Sequence, residues 1–431
     1  MGKVYPVRYY KHMLRFLRPN RNTPKQVLKY GIAAALTTQI AAVGAVIAVD
    51  EHRKKRNPAS AKFPTLPPRT TTVSGSDLTV YTFGKDLYAD MLEAINGAKE
   101  QILFETFIMK ADDVGYQFRN ALMRAAQRGV KVYIILDTFG NLNQDPRFRQ
   151  FPQHENVYMI HFPLIRTGIF TGNGKDRGFD HRKVIVVDQE IGFVGGYNIG
   201  NLYADTWRDT HLRIKGPSVW ELENAFVDMW NVYRSEHLPE LPDRGLSHWS
   251  SKIIATQNVP AFKSYPVRAS YLGAIDRAHH HVYITMGYFI PDAGILHSLT
   301  SAARRGVDVR VLIPEYSNHI VADWVGRPYY KDLLRSGVRI FLYREAMIHA
   351  KTMTVDSIWS TVGTTNIDQV SMGGNFEVNV EVFDHPFATI MEEIFAMDLT
   401  NAHELTAQEW SERSKLARVA ERILRPLAPL L

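Results

Sequence analysis

Two stretches of the chain, 168 residues apart, carry the same pattern, and a repeat at that distance restricts the fold more than composition does. The first reads His181, Arg182, Lys183, four residues, Asp188, and then Gly195, Gly196, Tyr197, Asn198. The second reads His349, Ala350, Lys351, four residues, Asp356, and then Gly363, Thr364, Thr365, Asn366. In each copy 17 residues lead from His to Asn, and a carboxylate follows 28 residues after the His: Asp209 in the first, Glu377 in the second.

The residue types suit one kind of chemistry. Side chains alternate along a strand, so His and the Lys two residues on share a face. An imidazole serves as nucleophile or proton carrier near neutral pH, and an ammonium beside it is a point charge for an anion such as phosphate. A carboxylate on the other ring nitrogen fixes the tautomer and orientation of the imidazole, and Asp209 and Glu377 are the candidates.

The flanking segments repeat in the same order. A helix over 86–99 leads to a strand over 101–107, then a helix ending near Gly129 and a strand over 131–136. In the second half a helix ending near His279 leads to a strand over 282–286, then a helix ending near Gly306 and a strand over 308–313. The expectation is an α/β chain of two tandem domains about a pseudo-two-fold axis, 73–245 and 246–402, with both His-Lys pairs in one cleft.

Before them lie a basic arm (1–26), an apolar stretch expected to form a transmembrane helix (27–49) and a Pro-rich tether (50–72); an amphipathic tail (403–431) follows. The tail either packs on the second domain or lies on an anionic membrane surface. Charge is uneven: the first 49 residues hold eight basic and no acidic side chains, and the other 382 hold 43 basic against 44 acidic. A near-neutral body gives no footprint for a nucleic acid. The basic excess before the apolar stretch favours an N-terminus on the inner side of a cell membrane, with a single pass. The absence of cysteine excludes disulfides, thiolate catalysis and thiolate metal ligation.

The paired motifs resemble the signature of the phospholipase D superfamily, and the text around them is most similar to bacterial cardiolipin synthases. Trp207 to His211 with Gly216 and Pro217, the run Tyr288 to Pro291, and Arg305 to Pro314 carry the closer likeness, which covers roughly residues 75–431. The resemblance implies transfer of a phosphatidyl group between two phosphatidylglycerols through a phosphohistidine, with release of glycerol and no cofactor or metal. It implies His181, Lys183, Asp188, His349, Lys351 and Asp356 as catalytic residues, with His181 the nucleophile and His349 the acid and base, although pseudo-symmetry permits the reverse. Asn198, Thr364 and Asn366 are the expected substrate-binding residues. Asp188 and Asp356 also suit a structural part at strand ends. Where the family has Ser two residues before Asn, this chain has Gly196 and Thr364. Hydrolytic phospholipase D action, transfer to another alcohol, and nuclease action are the other readings the superfamily allows. His279, His280 and His281 point in divergent directions and give no metal site. Trp207, Tyr288 and Phe289 are core candidates that could also line an acyl route, and the Gly-containing loop 166–177 could cover the cleft.

Overall fold

A computed structural model describes residues 23–56, 60–163, 178–245 and 248–430. The basic arm up to residue 22 and the loop 166–177 lie outside the described residues.

The repeat in the text becomes a repeat in space. The first half contributes β1 (Arg69–Val73), β2 (Ser76–Tyr81), β3 (Gln101–Thr106), β4 (Lys131–Asp137), β5 (Val157–Phe162), β6 (Lys183–Val187), β7 (Ile191–Gly195), the two-residue β8 (Trp207–Arg208) and β9 (His211–Lys215). The second contributes β10 (Ile253–Asn258), β11 (His281–Met286), β12 (Asp308–Pro314), β13 (Arg339–Tyr343), the two-residue β14 (Met347–Ile348), β15 (Lys351–Val355), β16 (Trp359–Gly363), β17 (Glu377–Phe383) and β18 (Ala402–Leu405). One sheet runs β1-β2-β9-β7-β6-β3-β4-β5 and the other β10-β17-β16-β15-β11-β12-β13-β18. Apart from β1 and β18 the two orders correspond strand for strand, with β3-β4-β5 and β11-β12-β13 parallel and the other pairs antiparallel.

Alternation along the central strands explains how the halves adhere. Val184 and Val186 of β6 face a core shared by both sheets, where they meet Val378, Val380 and Val382 of β17, while Ile185 and Val187 face the outer core of the first half. Each such side chain contributes about 1.5–3 kcal/mol when fully buried. The halves therefore share one continuous apolar core.

The shared core is locked by a charge pair. The Arg208 guanidinium donates to Asp398 of the second half at 2.8 and 2.6 Å, both groups fully buried. Removing one member leaves the other charge without a partner in an apolar medium. Arg208→Ala is expected to lower stability by about 3–5 kcal/mol, read from chemical denaturation.

Four expected boundaries move, the first being the start of the N-terminal helix, at Thr23 in place of residue 27. The N-terminal helix runs from Thr23 to Arg56, past the expected end at residue 49, because Asp50 pairs with Arg53 and Lys54 at helical spacing. The stretch expected as a free tether is docked: the Ala61 N–H donates to the Glu345 carbonyl at 2.8 Å and Phe63 packs edge-on to Phe83. The β-branched run Arg69–Val73 then pairs with β2, so the first domain begins before residue 73. At the other end residues 402–405 pair with β13, and the tail proper starts at the Thr406–Glu409 capping box.

From Ala42 onward the N-terminal helix packs on the second half, where Val46 meets Ile290, Ala322, Val325, Leu424 and Ala428. Before that point its apolar side chains, Leu28, Ile32, Leu36 and Ile40 among them, are exposed. The tail splits into two short helices at Arg413–Ser414. Trp410 and Leu424 pack inward, while Leu416 and Val419 face out, 81% and 54% exposed.

Candidate active site

Both motif histidines stand at the entrance of a central strand, His181 ahead of β6 and His349 ahead of β15. They line one cleft of about 500 Å³. The two imidazoles come from different halves and share this one cleft.

Each imidazole is held by the carboxylate of the other half. His181 Nδ1 lies 3.0 Å from both Glu377 oxygens, and His349 Nδ1 lies 2.7 Å from Asp209 Oδ2. The backbone explains the crossing. β8 pairs with β14 in parallel, and the His349 N–H donates to the Arg208 carbonyl at 2.7 Å, which brings Asp209 beside His349. On the other side Asp180 bridges to Phe376, and the His181 N–H donates to the Phe376 carbonyl at 3.1 Å, which brings Glu377 beside His181. The carboxylate 28 residues after one histidine thus serves the other. With Nδ1 engaged in both rings, Nε2 is the nitrogen left for chemistry.

Electrostatics favour uncharged imidazoles in this cleft. Burial holds both His181 and His349 well below the ordinary imidazole range, and the ammoniums of Lys183 and Lys351 push the same way. Burial also lifts the partner carboxylates, Asp209 to about 6 and Glu377 to about 7. It lowers Lys183 to about 8 and Lys351 to about 7, opposed by Glu377 and Asp209. An anion entering the cleft would reverse part of this, because it restores the charge balance for the ammoniums and for an imidazolium.

The lysines sit behind the imidazoles. Lys183 Nζ donates to the His181 carbonyl at 2.6 Å and Lys351 Nζ to the His349 carbonyl, so each uses one of its three donors to tie down the backbone of its own histidine. Asn198 and Asn366 both line the cleft. Asn198 Oδ1 accepts from the Ile108 N–H at 3.2 Å, and Asn366 Oδ1 is buried with no partner among the described residues.

Three expected site residues lie elsewhere. Asp188 and Asp356 each occupy a hairpin turn in which two residues have left-handed backbone, Asp188 with Gln189 and Asp356 with Ser357. Their carboxylates accept from the backbone N–H groups of residues 99–101 and 279–281 at 2.8–2.9 Å. A catalytic part for these two aspartates gives way to a structural one: they tie each hairpin to the strand that begins beside it. The His279–His281 run supplies the N–H groups that Asp356 accepts. Thr364, expected to bind substrate, is fully buried; its hydroxyl donates to Glu377 at 2.5 Å and accepts from the Val378 N–H at 3.0 Å. It positions a carboxylate. At Gly196, its counterpart, a Cβ would lie 2.1 Å from Asp209 Oδ1, so the first copy admits no side chain there.

Other cleft residues carry no motif. Trp207 and Tyr288 pack on the His349 ring at 5.2 and 5.7 Å between centroids, and Phe107 packs on His181 at 4.9 Å. Phe289 belongs to the core of the second half. The end of the N-terminal helix reaches the cleft through Ile47, Asp50, Glu51 and Lys54. Asn318 and His319 reach it from the loop after β12, a loop at the carboxyl end of a parallel strand, where open α/β sheets place ligands.

The geometry agrees with what the chain is similar to. The family model described as "Cardiolipin synthase, PLD-like domain" matches residues 91–230 and 271–399, one segment in each half. A cardiolipin synthase of Clostridium perfringens is 30% identical over 384 residues, 84% of this chain and 78% of that protein. The major cardiolipin synthase of Bacillus subtilis is 32% identical over 367 residues, 82% of this chain and 75% of that protein. Among solved structures, the phosphatidylserine synthase of Haemophilus influenzae superposes with a TM-score of 0.64 at 12% identity, covering 85% of this chain and 95% of that one, a likeness of fold. Two matched segments, each bringing one imidazole to a shared cleft, place the chain in the cardiolipin synthase family of phospholipase D-like phosphatidyltransferases.

Proposed function

We propose that the protein joins two phosphatidylglycerol molecules into cardiolipin and releases glycerol, through a phosphatidyl-histidine at His181. His181 Nε2 attacks the phosphorus of the donor lipid while the bond to the headgroup glycerol oxygen breaks, and His349 gives that oxygen its proton. The free hydroxyl of a second phosphatidylglycerol then loses its proton to His349 and attacks phosphorus, and the phosphorus–nitrogen bond breaks. In this reading Asn198 and Asn366, which line the cleft, meet the phosphate oxygens, and Lys183 and Lys351 supply positive charge from behind the imidazoles. The donor phosphate brings the negative charge under which His349, 2.7 Å from Asp209, can carry its proton.

The observation that carries the reading is the single cleft, in which each imidazole is oriented by the opposite half and one wall is the end of an apolar helix. The uncharged stretch from Tyr30 to Val49 is 20 residues, about 30 Å of helix, against a hydrocarbon core of about 30 Å. A single pass through the cell membrane would leave the charged end of the helix, Asp50 to Arg56, at headgroup depth. The cleft would then open where lipid phosphates lie, and the basic outward helix with Leu416 and Val419 would rest on the same surface. No nucleic acid takes part in this reading.

Incubation of the purified protein with phosphatidylglycerol in mixed micelles is expected to yield cardiolipin and glycerol in equal amounts; phosphatidic acid as the main product would overturn the transfer reading in favour of hydrolysis. Removing residues 1–41 is expected to shift the protein out of the membrane fraction. Removing residues 1–56 also uncovers Ile290, Ala322 and Leu424 and is expected to lower thermal stability further.

A further inference from the structure

We propose that Asn318 and His319 form the subsite for the glycerol hydroxyls that do not react, the two free hydroxyls of the alcohol that leaves in the first half-reaction and the remaining one of the alcohol that enters in the second. The inference rests on the transfer reading above and extends it to acceptor choice.

In that reading the alcohol must lie on the side of His349, which gives and takes its proton. Asn318 and His319 are on that side. The Tyr288 ring stands between, 5.7 Å from the His349 ring and 5.4 Å from the His319 ring, edge-to-face with both. Tyr288 Oη donates to Asn318 Oδ1 at 2.7 Å, which fixes the amide and leaves its NH₂ for a ligand. The loop is built: the His319 N–H donates to Ser317 Oγ at 3.0 Å, and the Ser317 N–H to the half-buried Asp323 carboxylate at 2.7 Å. The imidazole itself has no hydrogen-bond partner among the described residues, yet it lines the cleft.

The chemistry fits hydroxyls better than phosphate. Asn318 and His319 are exposed at the cleft, and an uncharged imidazole there offers one donor and one acceptor. Neighbouring hydroxyls each donate and accept, and the Asn318 amide supplies further donors. The opposite half lacks this feature. At the matching place after β4, Asn141 is spent on the Phe107 and Asp137 carbonyls and on the Met109 N–H, the next residue is Leu142, and the wall there is formed by Phe139 and Phe107. The polar pair on the His349 side therefore has no equivalent at the matching place in the first half, where Phe139 and Phe107 stand.

Water needs no subsite to attack the phosphohistidine, whereas a polyol does. His319→Ala and Asn318→Ala are each expected to lower the ratio of cardiolipin to phosphatidic acid about tenfold, the usual effect of leaving a hydroxyl without its partner. His319→Gln, which keeps a donor and an acceptor, is expected to recover part of that ratio. Because both products arise from one intermediate, their ratio reads the second step alone. Isotope-labelled free glycerol and 1-propanol supplied together give an independent reading: wild type is expected to prefer glycerol, seen as labelled phosphatidylglycerol, and His319→Ala to lose that preference. An unchanged product ratio and an unchanged glycerol preference in both alanine variants, with wild type making cardiolipin, would overturn the subsite. A wild-type protein that makes no cardiolipin would instead overturn the transfer reading, and the subsite with it.

Discussion

His349→Ala is expected to slow phosphatidyl transfer from phosphatidylglycerol by at least about a thousandfold, and to recover most of its first step when the headgroup is replaced by nitrophenol. The contrast follows from what His349 is asked to do. A glycerol alkoxide leaves poorly without a proton, while nitrophenolate leaves as the anion, so the missing acid matters for one and hardly for the other. His181→Ala removes the nucleophile and is expected to be equally inactive on both substrates. A burst of nitrophenol from His349→Ala and none from His181→Ala, in stopped-flow absorbance, is the predicted pair of results. The opposite pair would exchange the two roles, which the pseudo-symmetry of the site allows.

The second large effect comes from the crossed carboxylates. Glu377→Gln leaves His181 Nδ1 facing an amide in place of an anion, and Asp209→Asn does the same to His349. Each is expected to cost about 10²–10⁴-fold in transfer, as when the orienting acid of a catalytic triad is neutralised. Their phenotypes should cross between the halves. Asp209→Asn, in the first half, is expected to show the leaving-group rescue of His349→Ala; Glu377→Gln, in the second, is expected to lose the burst as His181→Ala does. If each carboxylate variant instead matched the histidine of its own half, the geometry described for the cleft would not be the working one.

That crossing marks where the text stops being readable. The equal spacings announced two like units, and the strands and helices flanking each motif fall where periodicity put them, because each is local: an amphipathic stretch, a cap, a glycine at a turn. Spacing alone assigned no carboxylate to either histidine, since the pairing is decided by β8 against β14 and by Asp180 against Phe376, contacts made across the halves. Asp188 and Asp356 looked chemical because they belong to the repeat, yet what repeats is a hairpin turn with its carboxylate on backbone amides. Thr364 offered a hydroxyl, and only burial shows that Glu377 takes it. The helix end at Asp50 and Lys54 joined the cleft wall through packing on Ile290 and Ala322, for which no sequence period exists. Asn318 and His319 could have been suspected, since they follow the carboxyl end of a parallel strand in an α/β sheet.

The central claim is that two imidazoles from separate halves act on one phosphorus, with His181 holding the lipid between the steps. Acid-quenching His349→Ala after mixing with the nitrophenyl ester of phosphatidic acid, followed by peptide mass spectrometry, tests it most directly. A phosphatidyl adduct on the peptide containing His181, absent from His181→Ala, is the predicted result; an adduct on another residue, or turnover with none at His181, would contradict it.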